Sequence, residues 1–66
     1  MPATSKLFSV VKYRRGGKTI IREHYMIKLD EATATITYLE YPEGEPPKES
    51  VEERLKRLRE RVRRQI

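Results

Sequence analysis

The last seventeen residues, 50–66, constrain the fold most, because they have the pattern of a single capped amphipathic helix. Ser50 followed three positions later by Glu53 is a capping box, in which each side chain pairs an amide that the helix start would leave unbonded. Apolar residues then recur at spacings of four, three, four and four, and such spacings form one narrow stripe on a helix. The stripe consists of Val51, Leu55, Leu58, Val62 and Ile66.

Arginines follow one flank of that stripe. At about 100° per residue, spacings of three, four and three align Arg54, Arg57, Arg61 and Arg64. The other flank mixes lysine and arginine with glutamate, as a helix does when it needs only solubility. The arginine row therefore predicts contact with a polyanion, and a merely solvated charged face is the alternative interpretation.

The size of the chain limits how it can be stabilised. Sixty-six residues form one small domain, whose core rarely supplies more than about 3–5 kcal/mol. Cysteine is absent and His24 is the only histidine, so we expect no disulfide, no metal site and no cofactor. Oligomerisation, or unusually good packing and ion pairing, is what remains, and we expect a homo-oligomer.

The charge of the chain is large and uneven. Charged residues make up 38%, the net charge is +5, and residues 51–66 hold seven basic against three acidic side chains. Basic charge concentrated in one segment is typical of nucleic-acid-binding proteins. Many charged residues with no asparagine and one glutamine indicate a thermophilic prokaryote. No apolar run approaches a membrane span and residues 1–6 lack a signal-peptide core, which predicts a cytoplasmic protein without membrane contact.

Residues 6–41 have the pattern of three strands. Two runs rich in β-branched and aromatic residues, 6–14 and 19–29, flank Gly16-Gly17, a strong signal for a two-residue hairpin. A turn at 30–33 leads to a third strand at 34–41, and a Pro/Glu linker at 42–49 precedes the helix. The predicted fold is α+β: a three-stranded antiparallel meander followed by one C-terminal amphipathic helix, in a single domain.

The two turn lengths predict the register, and strand alternation then assigns each side chain to a face. A two-residue first turn pairs Phe8 with Tyr25, and a four-residue second turn pairs Tyr25 with Tyr38. The face expected to receive the helix carries Phe8, Val10, Ile21, Tyr25, Ile27, Leu29, Ile36 and Tyr38, with Lys12, Glu23 and Glu40 towards one end. The second face carries Leu7, Val11, Tyr13, Ile20, Met26, Leu39 and Tyr41, with Arg22, His24 and Lys28 among them.

The second face is too apolar to be left in water, and one helix covers only one face. The favoured interpretation is a homodimer core, and the alternatives are another protein or the flat faces of bases. Aromatic and basic side chains together resemble a surface on which single strands stack: Tyr13, Arg22, His24, Lys28 and Tyr41. The hairpin tip adds a second basic spot formed by Arg14, Arg15 and Lys18.

Catalysis finds little support in the sequence. Glu23 and His24 are adjacent in a predicted strand, so they point to opposite faces and cannot act as an acid–base pair. Ser9 is predicted to lie across from His24, but no acid orients the imidazole from that face. We therefore expect a protein that is not an enzyme.

These observations predict a small basic nucleic-acid-binding protein that acts mainly through phosphate contacts, as a homodimer. DNA and RNA, single and double stranded, all remain open. In size, charge and element order the chain resembles small archaeal chromatin- and ribosome-associated proteins in general terms only, and no residue motif narrows this. The alternative is a protein–protein interaction module whose arginine-rich helix binds an acidic protein partner, because guanidinium groups suit carboxylates and phosphates alike.

Overall fold

The structure, a computed structural model, describes residues 5–65 and begins with a hairpin. β1 (Lys6–Arg15) and β2 (Lys18–Lys28) are antiparallel and are joined by Gly16 and Gly17. Both glycines have positive φ, 56° and 80°, as a type I′ turn requires. The two-residue hairpin predicted from the Gly-Gly pair is therefore confirmed.

β3 (Ala34–Pro42) pairs with β2 on its other side, so the sheet has the order β1-β2-β3. α1 (Val51–Gln65) follows after a turn in which the Glu45 N–H donates to the Pro42 carbonyl at 2.9 Å. The predicted fold, an antiparallel meander followed by one helix, is confirmed. Within residues 5–65, no helix is long and apolar enough to cross a membrane.

The start of α1 agrees with the predicted cap. The Glu53 N–H donates to Ser50 Oγ at 3.2 Å, and the Ser50 hydroxyl in turn donates to the Glu53 carboxylate at 3.2 Å. The acidic side chain thus bonds the capping hydroxyl, whereas a complete capping box bonds the backbone amide of the cap residue. Ile66, the last member of the predicted apolar stripe, lies outside the described residues.

The register of β1 differs from the prediction at one point. Tyr13 pairs with Ile20 as expected, but a β-bulge between Leu7 and Ser9 makes Leu7 the partner of Tyr25. A bulge inserts one residue into a strand, and the side chains beyond it change faces relative to a regular strand. Leu7 consequently packs on the core, and Phe8 lies beside His24 on the opposite side of the sheet.

The register of β3 also differs, by one residue along its whole length. Lys28 pairs with Ala34, so residues 29–33 form a five-residue connection instead of the expected four-residue turn. Asp30 Oδ1 accepts from the Ala32 N–H at 2.8 Å, and the Leu29 N–H donates to the Thr33 carbonyl at 2.9 Å, which together close this connection. A shift of one residue moves every side chain to the other face. The face assignment predicted for β3 is therefore wrong.

The core lies between α1 and the β2 side chains that point towards it. Tyr25, Ile27 and Leu58 form its buried centre. Ile21 and Val62 are also buried, whereas Val51 at the start of the helix stripe is exposed. Partly buried aliphatic side chains complete the core: Leu7, Leu29, Leu39 and Leu55.

One charged pair lies in this interface. Glu23 and Arg54 retain only 5% and 9% of their surface, and Arg54 Nη1 lies 2.5 Å from Glu23 Oε1. The Tyr25 hydroxyl donates to the same carboxylate, and the Tyr41 hydroxyl donates to Glu23 Oε2 at 2.9 Å. Burial alone raises the pKa of Glu23, but the hydrogen bonds from Tyr25, Tyr41 and Arg54 outweigh it and lower that pKa below its ordinary value. This cluster bonds the first turns of α1 to β2 and β3.

Candidate nucleic-acid interface

The side of the sheet that faces away from α1 is called the open face here. Strand alternation, together with the observed pairing, places on it every second side chain of each strand. No other element within residues 5–65 covers it, since the chain continues directly from β3 to the helix on the far side. Phe8 and Ser9 both lie on it because of the bulge in β1. Its uncharged members are Phe8, Ser9, Val11, Tyr13, Ile20, His24, Met26, Ala34, Ile36, Tyr38 and Pro42.

Three aromatic rings cross the middle of the open face. The His24 ring on β2 lies between Phe8 on β1 and Tyr38 on β3, with both centroid distances 6.1 Å and interplanar angles of 45° and 47°. Phe8 is 49% exposed and Tyr38 is 48% exposed, values well above those of ordinary packed aromatic side chains. We call these three residues the aromatic row. About half of the surface of each outer residue is therefore open to solvent.

A second cluster surrounds Glu40 at the hairpin end of the open face. Arg22 binds the Glu40 carboxylate at 2.8 Å, and the Tyr13 hydroxyl donates to it. The Arg22 guanidinium carbon lies 4.5 Å from the Tyr38 ring centroid and 5.3 Å from that of Tyr13, within cation–π range of both. Arg15 stacks on Tyr13 at 5.2 Å. Two guanidinium groups, stacked on tyrosine rings and paired with Glu40, therefore lie beside the aromatic row.

Hydrogen bonding explains the ionisation of Glu40. The Tyr13 hydroxyl is the chief cause that lowers the pKa of this carboxyl, burial opposes it, and Arg22 adds to the lowering. Glu40 is therefore an anion at neutral pH and neutralises part of the charge of Arg15 and Arg22.

The charge of the open face is strongly positive nevertheless. Glu40 is the one carboxylate that the register places on it, whereas its basic side chains are Lys6, Arg15, Lys18, Arg22 and Lys28. An aromatic row with a basic rim has the composition of surfaces that bind single-stranded nucleic acid, because bases stack on rings and phosphates bind cations.

His24 has an unused polar atom. Its Nδ1 is buried and has no hydrogen-bond partner within the described part of the chain. Its strand neighbour in the pairing is Ser9, as predicted, and Glu23 points to the helix side. The imidazole thus has no carboxylate beside it along the strand.

Two of the predicted site residues lie on the wrong side for the role assigned to them. Tyr41 was expected on the open face, but the register shift of β3 turns it towards α1, where it bonds Glu23. Arg54 was expected in the exposed arginine row, but it is buried and paired with the same carboxylate. Both residues belong to the interface between helix and sheet, so they are withdrawn as ligand contacts.

The remaining predicted residues are accessible at least in part. Tyr13, Arg15, Lys18, Arg22 and Lys28 lie on the open face, and the Lys28 ammonium donates to the Glu31 carbonyl at 2.9 Å.

Arg14 lies at the hairpin tip and bonds the Gly17 carbonyl at 3.0 Å. On the helix, the exposed Arg57 forms an ion pair with Glu49 at 2.7 Å, Arg61 bonds β3, and Arg64 is exposed. The helix arginines and the open face are thus separate surfaces that meet at the edge of the sheet.

Phe8 and Tyr38 are the site residues that sequence reasoning missed, since both were assigned to the helix side. The bulge that exposes Phe8 contains no glycine or proline from which it could be predicted. For Tyr38 a signal exists in Asp30, whose side chain bonds the backbone two residues later and closes a longer turn. A five-residue turn would have placed Tyr38 correctly.

Comparison of the chain with known protein families, with characterised proteins and with solved structures gives no match. The assignment of a function therefore rests on the geometry and charge of the open face and of the helix arginines.

Proposed function

We propose that this protein binds single-stranded nucleic acid on the open face of its sheet. The observation that carries the proposal is the aromatic row, in which Phe8 and Tyr38 are half exposed on either side of His24. Base–aromatic stacking contributes about 1–3 kcal/mol per base and tolerates any sequence. Phe8 and Tyr38 lie on strands that are two spacings, roughly 10 Å, apart. They can therefore stack two different bases of one strand.

The basic rim supplies the contacts to the backbone. Arg15 and Arg22 stack on tyrosine rings and share the Glu40 carboxylate. Each guanidinium group therefore retains N–H groups that can donate hydrogen bonds to a phosphate. Arg15 and Lys18 at one end of the face and Lys28 at the other suit a chain that crosses the aromatic row. Phosphate contacts of this kind carry affinity without sequence preference.

A face-to-face homodimer would form through the same open face, so nucleic-acid binding and this form of dimerisation exclude each other. The predicted dimer core included Leu7 and Leu39, but both pack against the helix side. An isologous interface would also bring two strongly basic surfaces together, and like charges opposed across an interface are unfavourable. Charge thus favours a polyanion over a second copy. The homodimer stays a prediction, which sedimentation at micromolar protein concentration tests.

The binding test uses fluorescence anisotropy with labelled DNA and RNA oligonucleotides, single stranded and duplex, at two salt concentrations. We expect single strands to bind more tightly than duplexes. Phe8→Ala and Tyr38→Ala should each weaken single-strand binding about 5- to 150-fold, which corresponds to about 1–3 kcal/mol. Val10→Ala is the matched control, because Val10 is equally exposed on β1 but belongs to the helix side.

Two results would contradict the proposal. One is the absence of binding to any nucleic acid at low salt by the folded protein, which would leave an acidic protein partner as the better hypothesis. The other is binding that neither aromatic substitution weakens, which would move the site away from the open face.

A further inference from the structure

Three arginines of α1 form a flank that meets the edge of the sheet. Arg61 Nη2 donates to Thr37 Oγ1 at 2.8 Å and to the Tyr38 carbonyl at 3.3 Å, so Arg61 links this side of the helix to β3. Arg57 and Arg64 are four residues before and three residues after Arg61, which places them on the same side of the helix. Arg57, Arg61 and Arg64 are called the arginine flank.

The arginine flank contacts one residue of the aromatic row, Tyr38. The Tyr38 ring lies on the open face beside His24, and the Tyr38 carbonyl bonds Arg61 from the helix side. β3 is an edge strand, so no further strand separates the two surfaces within residues 5–65. A flexible polyanion that leaves the open face at Tyr38 therefore reaches the arginine flank by passing round one strand.

The guanidinium groups of the flank are accessible to such a chain. Arg57 is exposed and is paired with the half-buried Glu49, and a pair that water reaches is weak enough for a phosphate to displace. Arg64 is exposed in the last turn. From Arg57 to Arg64 the helix rises about 10 Å at 1.5 Å per residue. That length suits two or three phosphates of one strand, at about 3.4 Å or more per nucleotide.

We infer that a bound single strand continues from the aromatic row round the β3 edge and places its phosphates along the arginine flank. This inference rests on the proposed function. It assigns to the protein one continuous path with two parts, a stacking part that holds short oligonucleotides and a phosphate part that only longer ones reach. The path runs past β3, and the opposite flank of α1, with Arg59 and Arg63, is not on it.

The arginines also have structural uses, which the test must separate from binding. Arg63 and Arg64 lie in the last turn, where positive charge stabilises a helix. Arg61 covers polar backbone of an edge strand. The variant Arg57→Gln/Arg64→Gln leaves Arg61 in place. Its matched control is Arg59→Gln/Arg63→Gln, which removes the same charge, and also one last-turn arginine, from the other flank.

Binding of oligo-dT of four and sixteen nucleotides is measured by NMR titration, which also reports folding, and by anisotropy for the longer probe. The unmodified protein should bind the sixteen-mer more tightly than the four-mer. Arg57→Gln/Arg64→Gln should remove most of that gain and lower the salt slope of sixteen-mer binding by about 1.4, at about 0.7 per phosphate contact. Four-mer affinity should stay within about twofold. The sixteen-mer should perturb the amides of Thr37, Arg57 and Arg64, and the four-mer should perturb only the open face.

Equal losses of sixteen-mer affinity in the two double variants would overturn the inference, because charge alone would then account for them. An unchanged gain in the Arg57→Gln/Arg64→Gln variant would overturn it as well. Failure of the proposed function looks different: neither probe binds, or Phe8→Ala and Tyr38→Ala leave four-mer binding intact.

Discussion

The two sides of the sheet carry the same chemistry in different surroundings. On the helix side Glu23 accepts hydrogen bonds from Tyr25, Tyr41 and Arg54. On the open face Glu40 accepts them from Tyr13 and Arg22, with Arg15 close by. The first carboxylate is buried and the second is partly exposed. Glu23 has two tyrosine hydroxyls and one guanidinium group as partners, and Glu40 has one hydroxyl and two guanidinium groups. The groups are of the same kinds, and the two clusters differ most in burial.

Burial decides what each cluster can do. Around Glu23 the helix excludes water, and removal of one partner would leave a buried charge unpaired. Around Glu40 water screens the charges, so the contacts are weak and open to exchange. The helix-side cluster therefore holds α1 on the sheet, and the open-face cluster keeps its guanidinium groups available for a ligand.

The largest expected effect is that of Glu23→Ala. It leaves Arg54 charged and buried without its partner, and unfolding should become easier by about 3–5 kcal/mol. Glu40→Ala is the comparison and should leave the urea midpoint almost unchanged, since its partners are solvated. Urea denaturation of both variants measures the difference. Similar losses in the two variants would show that burial is not what separates the clusters.

A somewhat smaller effect is expected for apolar side chains on the two sides. Leu58 is 1% exposed in the core, and Leu58→Ala should cost about 2–5 kcal/mol of unfolding free energy. Ile36, 58% exposed on the open face, should tolerate the same truncation within about 0.5 kcal/mol. Thermal unfolding of both variants is the measurement. A large loss in Ile36→Ala would mean that the open face is buried in solution, as in the predicted homodimer.

Acid should reveal the contribution of the buried carboxylate on the helix side to stability. The pKa of Glu23 is lowered in the folded protein, so the unfolded chain binds protons more tightly and stability falls as the pH decreases below about 4.5. Glu23→Gln removes this titration, and its stability should depend less on pH between about 5 and 3 than that of the unmodified protein. If Glu23→Gln keeps the full pH dependence, the acid sensitivity belongs to other carboxyl groups such as Glu40 and Asp30, whose pKa values are lowered as well.

Alkali should destabilise the helix side as well, through its tyrosines. Burial, followed by the hydrogen bond to Glu23, raises the pKa of Tyr25, and burial raises that of Tyr41. A raised folded pKa means that the contribution of these tyrosines is complete below about pH 10 and is lost as the pH rises further. Tyrosine absorbance followed during alkaline titration, with Tyr25→Phe as control, measures it. Ionisation of Tyr25 at its ordinary pH without unfolding would contradict the buried network.

The smallest expected effect concerns the cap of α1. Ser50→Ala removes the acceptor of the Glu53 N–H and should cost about 0.5–2 kcal/mol. Since Ser50 is remote from the open face, single-strand affinity of the folded variant should be unchanged. A loss of affinity without a loss of stability would place the helix start in the ligand path and contradict the separation of the two sides.

Most of the architecture could be predicted from local sequence signals. The Gly16-Gly17 pair, the alternation along 19–29 and the spacing of Leu55, Leu58 and Val62 each correspond to what the structure shows. Along β2 the alternation also assigned side chains correctly to the two faces. These signals are periodic and local, so a single segment contains all the information that they need.

The candidate site was predicted less well, because the register of the strands decides which residues lie on the open face. The stretch from Thr35 to Tyr38 alternates threonine with apolar residues and fits the core in either register. The bulge at Phe8 and the five-residue turn decided the outcome. The turn placed two threonines beside the helix and exposed Ile36 and Tyr38 instead, and the bulge exposed Phe8. Each shift is one residue, and one residue is enough to exchange the faces of a strand.

Three strands, one basic capped helix and a surplus of positive charge can all be read from local sequence patterns. Which of the basic side chains are accessible depends on how the helix packs on the sheet. Arg54 and Arg57 are indistinguishable by helical spacing, yet one is buried against Glu23 and the other is exposed beside Glu49. The physical reason is that burial and pairing depend on which element lies opposite a side chain, and that is set by contacts between segments distant in the chain.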